Sequence, residues 1–367
     1  MTHPDRGINS MRWRDAMDAA LYGPAGFFVA GAGPAAHFRT SAHAPGVLAT
    51  ALSRLVEQVD AALGRPERLD VVDVGAGRGE LLRALAGAMG ADGDPTGRPA
   101  SPEIPTAPAA AVPSPAAPVP LARRVRLTAV ERAPRPEDLP AGIDWRDEIP
   151  DGVTGLLVAT EWLDNVPLDV AVHDGDGWRY LLVDPASGAE SVGGPVDAAD
   201  LDWLHRWWPA PVAAGRAEIG RTRDDAWADA VGKLDRGLAL AVDYGHLRQE
   251  RPVDGTLTGY RAGRQVPPVP DGSRDVTAHV AVDSVAAAGA RVAGCAYTLG
   301  SQREALRALG ADGGRPPLTL AGSDPAGYLR ALAAASAVAE LTDPAGLGGH
   351  WWLRQPVGVD PAAFMAR

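Results

Sequence analysis

A strand that leads directly into a glycine-rich loop and a helix constrains the fold of this chain more than any other feature. Leu69–Val74 is a short β-branched run, which is typical of a buried strand. The loop Gly75-Ala-Gly-Arg-Gly79 follows, and residues 80–89 carry leucines at helical spacing. Glycines at such a junction let the backbone turn tightly and let a ligand approach the amides at a helix N-terminus. The pattern therefore predicts an α/β fold with a ligand site beside this loop.

The rest of the chain repeats this alternation. Amphipathic segments predict helices, among them one over 277–288 with Thr277 as its N-cap. Further apolar runs predict strands at Val125–Val130, 155–160, 237–242, 291–298 and 350–354. Two runs on either side of Asp174-Gly-Asp-Gly177 predict a β-hairpin. We expect an α/β fold built on a doubly wound, Rossmann-like sheet, with added helical and hairpin elements.

An acidic residue stands at the end of each of four predicted strands: Asp73, Glu131, Glu161 and Asp243. Ligands of doubly wound sheets lie beyond the carboxyl ends of the strands, so we expect these four side chains to gather around one ligand. Glu131 is placed to accept hydrogen bonds from ribose hydroxyls, although a solvated surface acid is the alternative interpretation.

The loop itself discriminates between cofactors. Its form is G-x-G-x-G, whereas a dinucleotide site needs a glycine or alanine where this chain has Glu80. A carboxylate there would face a pyrophosphate, which disfavours NAD and FAD. S-adenosylmethionine carries no phosphate and has a cationic methionine end, so it fits better. The candidate cofactor-binding residues are Asp73, Gly75, Gly77, Gly79 and Glu131, and a plain structural turn remains the alternative.

The charge and composition of the chain limit the kinds of partner that it can bind. Lys and Arg total 35 against 46 Asp and Glu, giving a formal net charge of -11. Such an acidic surface argues against binding nucleic acid or anionic membranes and tolerates a basic partner. The single cysteine excludes an intramolecular disulfide and a cysteine-based zinc site, and we expect no metal. Since neither a secretory signal nor a long apolar run stands out, we expect a cytoplasmic protein without membrane insertion.

Residues 92–120 are rich in proline, alanine and serine and predict a flexible insertion. This insertion accounts for the unusually long spacing between Gly75 and Glu131. We expect an N-terminal helical segment, 1–68, that covers the cofactor site, followed by a cofactor-binding domain over 69–367. Within that domain, residues 168–235 are expected to form a substrate-side subdomain of hairpin and helices.

Several short motifs, in a fixed order, extend from about Met11 to Arg354. They are Leu21-Tyr-Gly-Pro-Ala-Gly-Phe-Phe28, Phe38-Arg-Thr-Ser41, 73–80, Thr160-Glu-Trp-Leu-Asp-Asn-Val-Pro167, Asp243-Tyr-Gly245, Gly255-Thr-Leu-Thr-Gly-Tyr260, Arg274-Asp-Val-Thr-Ala-His279 and Ser301-Gln302. In these motifs the chain resembles the MidA-like (DUF185) group of S-adenosylmethionine-dependent methyltransferases, whose mitochondrial members act as respiratory complex I assembly factors. The resemblance implies a class I methyltransferase fold and methyl transfer to a protein arginine, in the mitochondrial case on a complex I subunit.

The resemblance also implies roles for individual residues. Thr40 and Ser41 would cover the cofactor, and His279 would be catalytic, with a structural histidine as the alternative. The family pattern is altered at several positions, so the acceptor is less closely defined than the cofactor. They include His37, Ala42, His43 and Thr160, and also Asn165 and Val166 within the Asp164–Pro167 motif.

Chemistry suggests how a guanidinium acceptor would be held. Its charge is delocalised, and facing carboxylates would bind it in a bidentate manner and make one nitrogen more nucleophilic. Glu161 and Asp164 lie three residues apart beyond a strand end, so we expect Glu161 to orient the acceptor and Asp164 to assist or to brace the loop. Asp243 would line the acceptor pocket or cap a turn.

Three function classes remain open at this point. The first is a protein arginine methyltransferase with a basic protein substrate, and the second is a small-molecule methyltransferase on the same fold. The third is an assembly factor that binds S-adenosylmethionine without catalysis. Any of these could act as a homo-oligomer.

Overall fold

The computed structural model describes residues 10–30, 45–91, 119–208, 215–311 and 313–364. Thr40, Ser41, His37, Ala42 and His43 lie outside the described residues, as does the predicted flexible insertion apart from its last two residues.

The chain contains both strands and helices, but in two stretches, 125–195 and 234–281, strands follow one another without an α-helix between them. In chain order the strands are β1 (Met11–Arg12), β2 (Leu69–Val74), β3 (Val125–Val130), β4 (Ile143–Arg146), β5 (Val153–Thr160), β6 (Asp169–His173), β7 (Trp178–Val183), β8 (Glu190–Pro195), β9 (Arg216–Ile219), β10 (Leu234–Asp243), β11 (Gly245–His246), β12 (Thr258–Arg261), β13 (Arg264–Val266), β14 (Asp275–Thr277), β15 (Val280–Ala281), β16 (Thr298–Ser301) and β17 (Trp351–Val357). The helices are α1 (Trp13–Tyr22), α2 (Phe27–Ala30), α3 (Pro45–Ala62), α4 (Glu80–Ala91), α5 (Leu121–Arg124), α6 (Ala198–Trp207), α7 (Arg221–Gly232), α8 (Val282–Ala293), α9 (Gln302–Ala308), α10 (Leu318–Ser323) and α11 (Pro325–Leu341).

A seven-stranded sheet forms the centre of the fold, in the order β16-β17-β10-β5-β2-β3-β4. The five strands from β10 to β4 are mutually parallel, and β17 runs antiparallel to both of its neighbours. In the register of the parallel strands, Val74 lies opposite Val130 on one side and Ala159 on the other. The carboxyl ends of β2, β3, β5 and β10 therefore meet along one edge of the sheet.

Helices cover both faces of this sheet, as the apolar character of its strands requires. Successive residues of β2 alternate between two cores: Val71 packs with α3, α4 and α9, and Val72 packs with α7 and α8. The first core contains Leu52 and Leu82, and the second contains the fully buried Trp227. The prediction of a doubly wound α/β sheet is confirmed.

A second sheet lies outside this framework and contains the predicted hairpin. Its strands run in the order β1-β7-β6-β9, with β8 paired to β7. The hairpin turn is fixed by Asp174 Oδ1, which accepts hydrogen bonds from the amides of Asp176 and Gly177, both at 3.0 Å. Trp203 and Trp208 are buried beneath this sheet.

Two of the predicted secondary-structure elements, a helix over 277–288 and a strand over 291–298, were wrong. The helix expected over 277–288 is α8, which begins at Val282, and Thr277 is instead the last residue of β14. The strand expected over 291–298 falls on the end of α8 and the turn after it, where Gly294 adopts a left-handed conformation with φ 60°. Thr277 does not cap a helix because its hydroxyl donates to Asp164 at 2.7 Å, a tertiary bond that the local sequence does not reveal.

Within the described parts of the chain, no helix is long and apolar enough to cross a membrane.

Candidate active site

A cavity of about 1100 Å³ opens at the carboxyl edge of the central sheet. Its walls come from the residues that follow β2, β3, β5 and β10, together with α1, the β14–β15 connection and the segment before β17. Neighbouring strands lie about 4.8 Å apart, so the distance from the end of β3 to the end of β10 is roughly 14 Å. The volume exceeds that of ordinary single-ligand pockets, and the cavity can hold a small molecule together with part of a second one.

The cavity has two ends of different character. The glycine-loop end is lined by Asp73, Gly75, Gly77 and Glu131. The aspartate end is lined by Glu161, Asp164, Tyr244, Asp275 and His279.

The glycine loop requires glycine for its backbone shape. Gly75, Gly77 and Gly79 have φ angles of 73°, 58° and 80°, in the left-handed region that other residues avoid. At Gly75 there is also no room for a side chain, because a Cβ atom would lie 2.9 Å from Cδ1 of Trp162. Gly79 points away from the cavity, and a Cβ atom there would lie 2.6 Å from Leu139.

Glu80 occupies the place that a phosphate would need. Its Oε2 accepts the Arg78 backbone amide at 2.9 Å, just before the first residue of α4, and the side chain lines the cavity. A helix N-terminus and the glycine loop before it bind phosphate through free amides and a positive dipole, but here a carboxylate accepts the Arg78 amide of that loop. The structure thus supports the sequence argument against a dinucleotide.

Asp73 carries a buried carboxyl group at the floor of the glycine-loop end. The residue is 2% exposed, and its Oδ2 has no hydrogen-bond partner among the residues that the structure describes. Burial raises the pKa of this carboxyl to about 8, and the nearby negative charges of Glu131 and Glu80 add to the effect. A cation bound in the cavity would stabilise the charged form of Asp73 and so oppose both causes of the raised pKa.

Glu131 is held at the end of β3 by three backbone amides. Its Oε2 accepts from Gly77 at 3.0 Å, and its Oε1 accepts from Arg132 at 2.7 Å and from Ala133 at 3.1 Å. Burial raises its pKa, while these amides oppose the rise because they stabilise the carboxylate. Since Oε2 accepts only one of the three, it keeps a lone pair for a hydroxyl of a ligand.

The turn after β5 begins at Glu161, whose φ of 50° is unusual for a residue with a side chain. Its amide donates to Val242 of the neighbouring β10 at 2.8 Å, which fixes this conformation. Backbone strain of this kind is often found at functional sites, where the surrounding structure holds it in place. The turn directs the chain along the cavity wall, where the half-buried Glu161 and Trp162 are both found.

Asp164 follows in a short 3-10 turn, Leu163–Asn165, and is 3% exposed. Its Oδ2 accepts hydrogen bonds from the hydroxyls of Thr277 and Tyr244. Its Oδ1 is buried and has no partner within the described ranges. Burial raises the pKa of this carboxyl, although the two hydroxyls and the nearby Arg223 favour the charged form.

Asp243 lies behind the cavity wall and is absent from the described residues that line it. Its Oδ2 accepts the backbone amides of Leu163 at 3.0 Å and Asp164 at 3.2 Å, and its Oδ1 accepts that of Tyr244 at 2.9 Å. Burial raises its pKa well above the usual range, and Asp164 and Glu161 add to the rise. Of the two interpretations offered by the sequence, a residue that lines the acceptor pocket or one that caps a turn, this geometry favours the cap.

His279 is exposed to the cavity at the aspartate end. Its ring packs edge-on against Tyr244, with centroids 5.1 Å apart, and its backbone amide donates to Thr256 at 2.8 Å. Desolvation lowers the pKa of this imidazole, while the nearby carboxyl groups of Glu218 and Asp164 oppose the shift.

The structure adds cavity residues that the sequence analysis did not single out. His350 precedes β17 and lies with its ring centroid 5.5 Å from that of Tyr244; burial lowers its pKa to about 4. It reaches the cavity because β17 is antiparallel, so the start of this strand lies at the carboxyl edge of the others. Asp275 accepts a 2.6 Å hydrogen bond from Asn165, and Tyr22 of α1 donates to the Asn165 carbonyl at 3.3 Å.

The predicted residues thus divide into three groups. Asp73, Gly75, Gly77 and Glu131 meet at the glycine-loop end, and Glu161, Asp164 and His279 meet at the aspartate end. Gly79 and Asp243 support the wall from behind. In the described part of the chain, no group of three or more histidine, cysteine, aspartate or glutamate residues could hold a metal ion.

Comparison with known proteins identifies the family. The model of the family described as "Putative S-adenosyl-L-methionine-dependent methyltransferase" matches residues 115–300, half of the chain. The chain belongs to this family. The matched segment of this methyltransferase includes Glu131, Glu161, Asp164 and His279.

Solved structures share its fold. A COG1565 superfamily member from Burkholderia thailandensis, crystallised with S-adenosyl-homocysteine, superposes with a TM-score of 0.74 at 23% identity, covering 97% of this chain and 90% of its own. A native crystal structure of a COG1565 superfamily protein from the same organism gives a TM-score of 0.71 at 23% identity, covering 96% of this chain and 88% of its own. No curated protein matches the sequence.

These findings confirm the MidA-like resemblance, the class I methyltransferase fold and S-adenosylmethionine as the cofactor. The chain is an S-adenosylmethionine-dependent methyltransferase.

Proposed function

We propose that this methyltransferase binds S-adenosylmethionine at the glycine-loop end and transfers its methyl group to a protein arginine held at the aspartate end. The observation that carries the proposal is the buried, unpartnered Oδ1 of Asp164 in the wall of the aspartate end. A buried carboxylate oxygen without a partner is costly, and a cationic acceptor would supply what it lacks.

The glycine-loop end fits the cofactor in charge and in shape. Asp73 offers an unpartnered buried oxygen to the ammonium group of the methionine portion, and Glu131 Oε2 can accept from a ribose hydroxyl. Gly75 and Gly77 add no side chain to this part of the cavity wall. Tyr22 and Phe28 stack at 5.6 Å and line the same cavity, so we assign α1 and α2 of the N-terminal segment to covering the bound cofactor. Thr40 and Ser41 are proposed to belong to the same cover.

The aspartate end suits a guanidinium because acids and aromatic rings surround it. Glu161, Asp164 and Asp275 line it together with Tyr244 and the ring of Tyr260. Carboxylates can bind both edges of a guanidinium, and aromatic faces attract its charge. We assign the residues of 168–235 that pack behind this end to the substrate side of the enzyme.

The protein groups then have defined tasks in the reaction. When bound, the cofactor would supply an electrophilic methyl group, which passes in line to the acceptor nitrogen while the sulfur–carbon bond breaks and its electron pair stays on sulfur. Glu161 holds the acceptor so that one nitrogen faces this methyl group, and Asp164 neutralises the guanidinium charge. The new nitrogen–carbon bond requires the nitrogen to lose one proton, and Asp164 Oδ1 accepts it. A carboxyl whose pKa is raised by burial is suited to this step.

The experiment uses methyl-labelled S-adenosylmethionine and a lysate from a strain that lacks the protein. Wild type, Glu161→Ala and Asp164→Asn are added separately, and the labelled band is hydrolysed for amino-acid analysis. We expect one discrete protein band with wild type, containing labelled methylarginine, and little label with either variant. The family resemblance makes a subunit of respiratory complex I the first band to examine.

Other outcomes would replace the proposal. Label confined to small molecules would make the enzyme a small-molecule methyltransferase. Absence of label, with binding of S-adenosylmethionine confirmed by calorimetry, would make it a cofactor-binding assembly factor without catalysis.

A further inference from the structure

Arg223 is a fully buried arginine that the mechanism above does not use. It lies in the first turn of α7 and is 1% exposed. Its guanidinium donates four hydrogen bonds, all to backbone carbonyls on two separate segments. Nη2 and Nε donate to Asp164 and Val166, and Nη1 donates to Ala278 at 2.9 Å and His279 at 3.0 Å.

These two segments form opposite sides of the aspartate end. The first is the turn after β5, which carries Asp164, and the second is the β14–β15 connection, which carries His279. A planar guanidinium has its donors in a rigid fork, so it fixes both the separation and the relative orientation of the groups it binds. A more flexible cation could not bind all four carbonyls in this way.

The position of this arginine is costly. Burial lowers its pKa, and none of its hydrogen bonds within the described residues goes to a carboxylate. A positive charge in the first turn also opposes the dipole of α7. The nearby carboxyl groups of Asp164 and Asp243 offset part of this cost through space.

We propose that Arg223 is the positioning residue of the aspartate end, where its fork holds the Asp164 turn and the 277–279 segment at one fixed separation. This inference rests on the proposed function, since the aspartate end is the assigned acceptor site. It adds a residue outside the cavity wall on which alignment of the acceptor depends. Alignment matters because a displacement of about 1 Å from a reactive geometry can reduce a rate by about 100-fold.

The test compares Arg223→Lys with Arg221→Lys in the full chain. Arg221 lies on the same helix and its guanidinium binds Asp200 at 2.7 Å, so its replacement controls for loss of a guanidinium near this site. Amide hydrogen exchange is measured first, since it needs no acceptor. We expect Arg223→Lys to speed exchange at 163–166 and at 277–280 together, without change in β2 or the glycine loop. Arg221→Lys should leave all of these amides as they are in wild type.

Kinetics supply the second readout, using the protein acceptor found by the labelling experiment. Arg223→Lys should lower kcat by up to about 100-fold while the KM for S-adenosylmethionine stays unchanged. An increase in exchange throughout the central sheet, or an unchanged kcat, would overturn the proposal. Failure of the labelling experiment would remove the kinetic readout and leave the exchange result, so the two failures can be told apart.

If Arg223→Lys does not fold, wild type alone still tests the inference. The amide of Asp164 donates to Asp243, and that of Ala278 donates to the Asp164 carbonyl. Both should exchange through one common opening, with similar protection. Markedly faster exchange of either amide would show that the fork does not couple the two segments.

Discussion

Gly75→Ala tests the glycine-loop end most sharply, because the structure gives two separate reasons why an alanine would destabilise this loop. A φ of 73° costs a residue with a Cβ atom roughly 1–2 kcal/mol. In addition, the new Cβ atom would lie 2.9 Å from Trp162 Cδ1, so the indole must move within the cavity wall. We expect a total loss of about 2 kcal/mol or more, which corresponds to a roughly 30-fold weaker binding of S-adenosylhomocysteine if the cost falls on the bound loop.

Two alanine variants serve as matched controls. Gly77 has a φ of 58°, but its Cβ atom would meet only Glu80 Oε2 at 3.4 Å, so Gly77→Ala should show the conformational cost alone. Gly87 lies within α4 with nothing within 4 Å, and Gly87→Ala should stabilise the protein by about 0.5–1 kcal/mol without changing affinity.

Isothermal titration with S-adenosylhomocysteine and thermal unfolding measure both effects. Affinity should decrease in the order Gly87→Ala, Gly77→Ala, Gly75→Ala. If Gly75→Ala binds the ligand and unfolds as wild type does, the assignment of this loop to the cofactor is refuted.

Three further predictions concern stability and the acidic residues. The pKa of Asp73 is raised to about 8 in the folded state, so the carboxyl stabilises the fold fully below its unfolded pKa of 3.8, and this contribution is lost as pH rises through 8. The melting temperature of Asp73→Asn, relative to that of wild type, should therefore increase between pH 4 and pH 9. A difference that stays constant with pH would contradict this cause. In Asp243→Asn only one side-chain oxygen remains to accept hydrogen bonds from three backbone amides, so kcat should fall while the affinity for S-adenosylhomocysteine, measured by titration, changes little. A loss of affinity alone would place Asp243 at the cofactor instead. Arg124 and Asp60 form a partly buried two-bond ion pair, so Arg124→Met should cost about 1–3 kcal/mol in denaturant unfolding and leave ligand affinity unchanged.

Much of the fold could be predicted because each local signal agrees with the tertiary structure. Leu69–Val74 and Val125–Val130 are strands with the expected bounds; the first is buried along almost its whole length, and the second is buried at its last two residues. The acidic residues at the strand ends were found because parallel strands bring such positions to one edge. The residues that line the glycine-loop end were therefore accessible from sequence.

The aspartate end was less accessible because tertiary contacts shape it. An apolar segment does not indicate whether its strand pairs in parallel or antiparallel. The sequence therefore did not show that β17 is antiparallel, which brings His350 to the cavity. Thr277 is a residue type that often caps helices, but its hydroxyl donates a hydrogen bond to Asp164, which is distant in the sequence. The left-handed Glu161 likewise depends on a bond to Val242 of a neighbouring strand. Arg223 gave no sequence signal, since its four acceptors are backbone carbonyls.

A crystal structure of the full chain with S-adenosylhomocysteine would show directly whether the cofactor and the acceptor meet in this cavity. We expect a ribose hydroxyl on Glu131, the amino group at Asp73 above the glycine loop, and the sulfur facing Glu161 and Asp164. A ligand bound outside this cavity, or one whose sulfur faces away from the aspartate end, would contradict the proposed path of the methyl group.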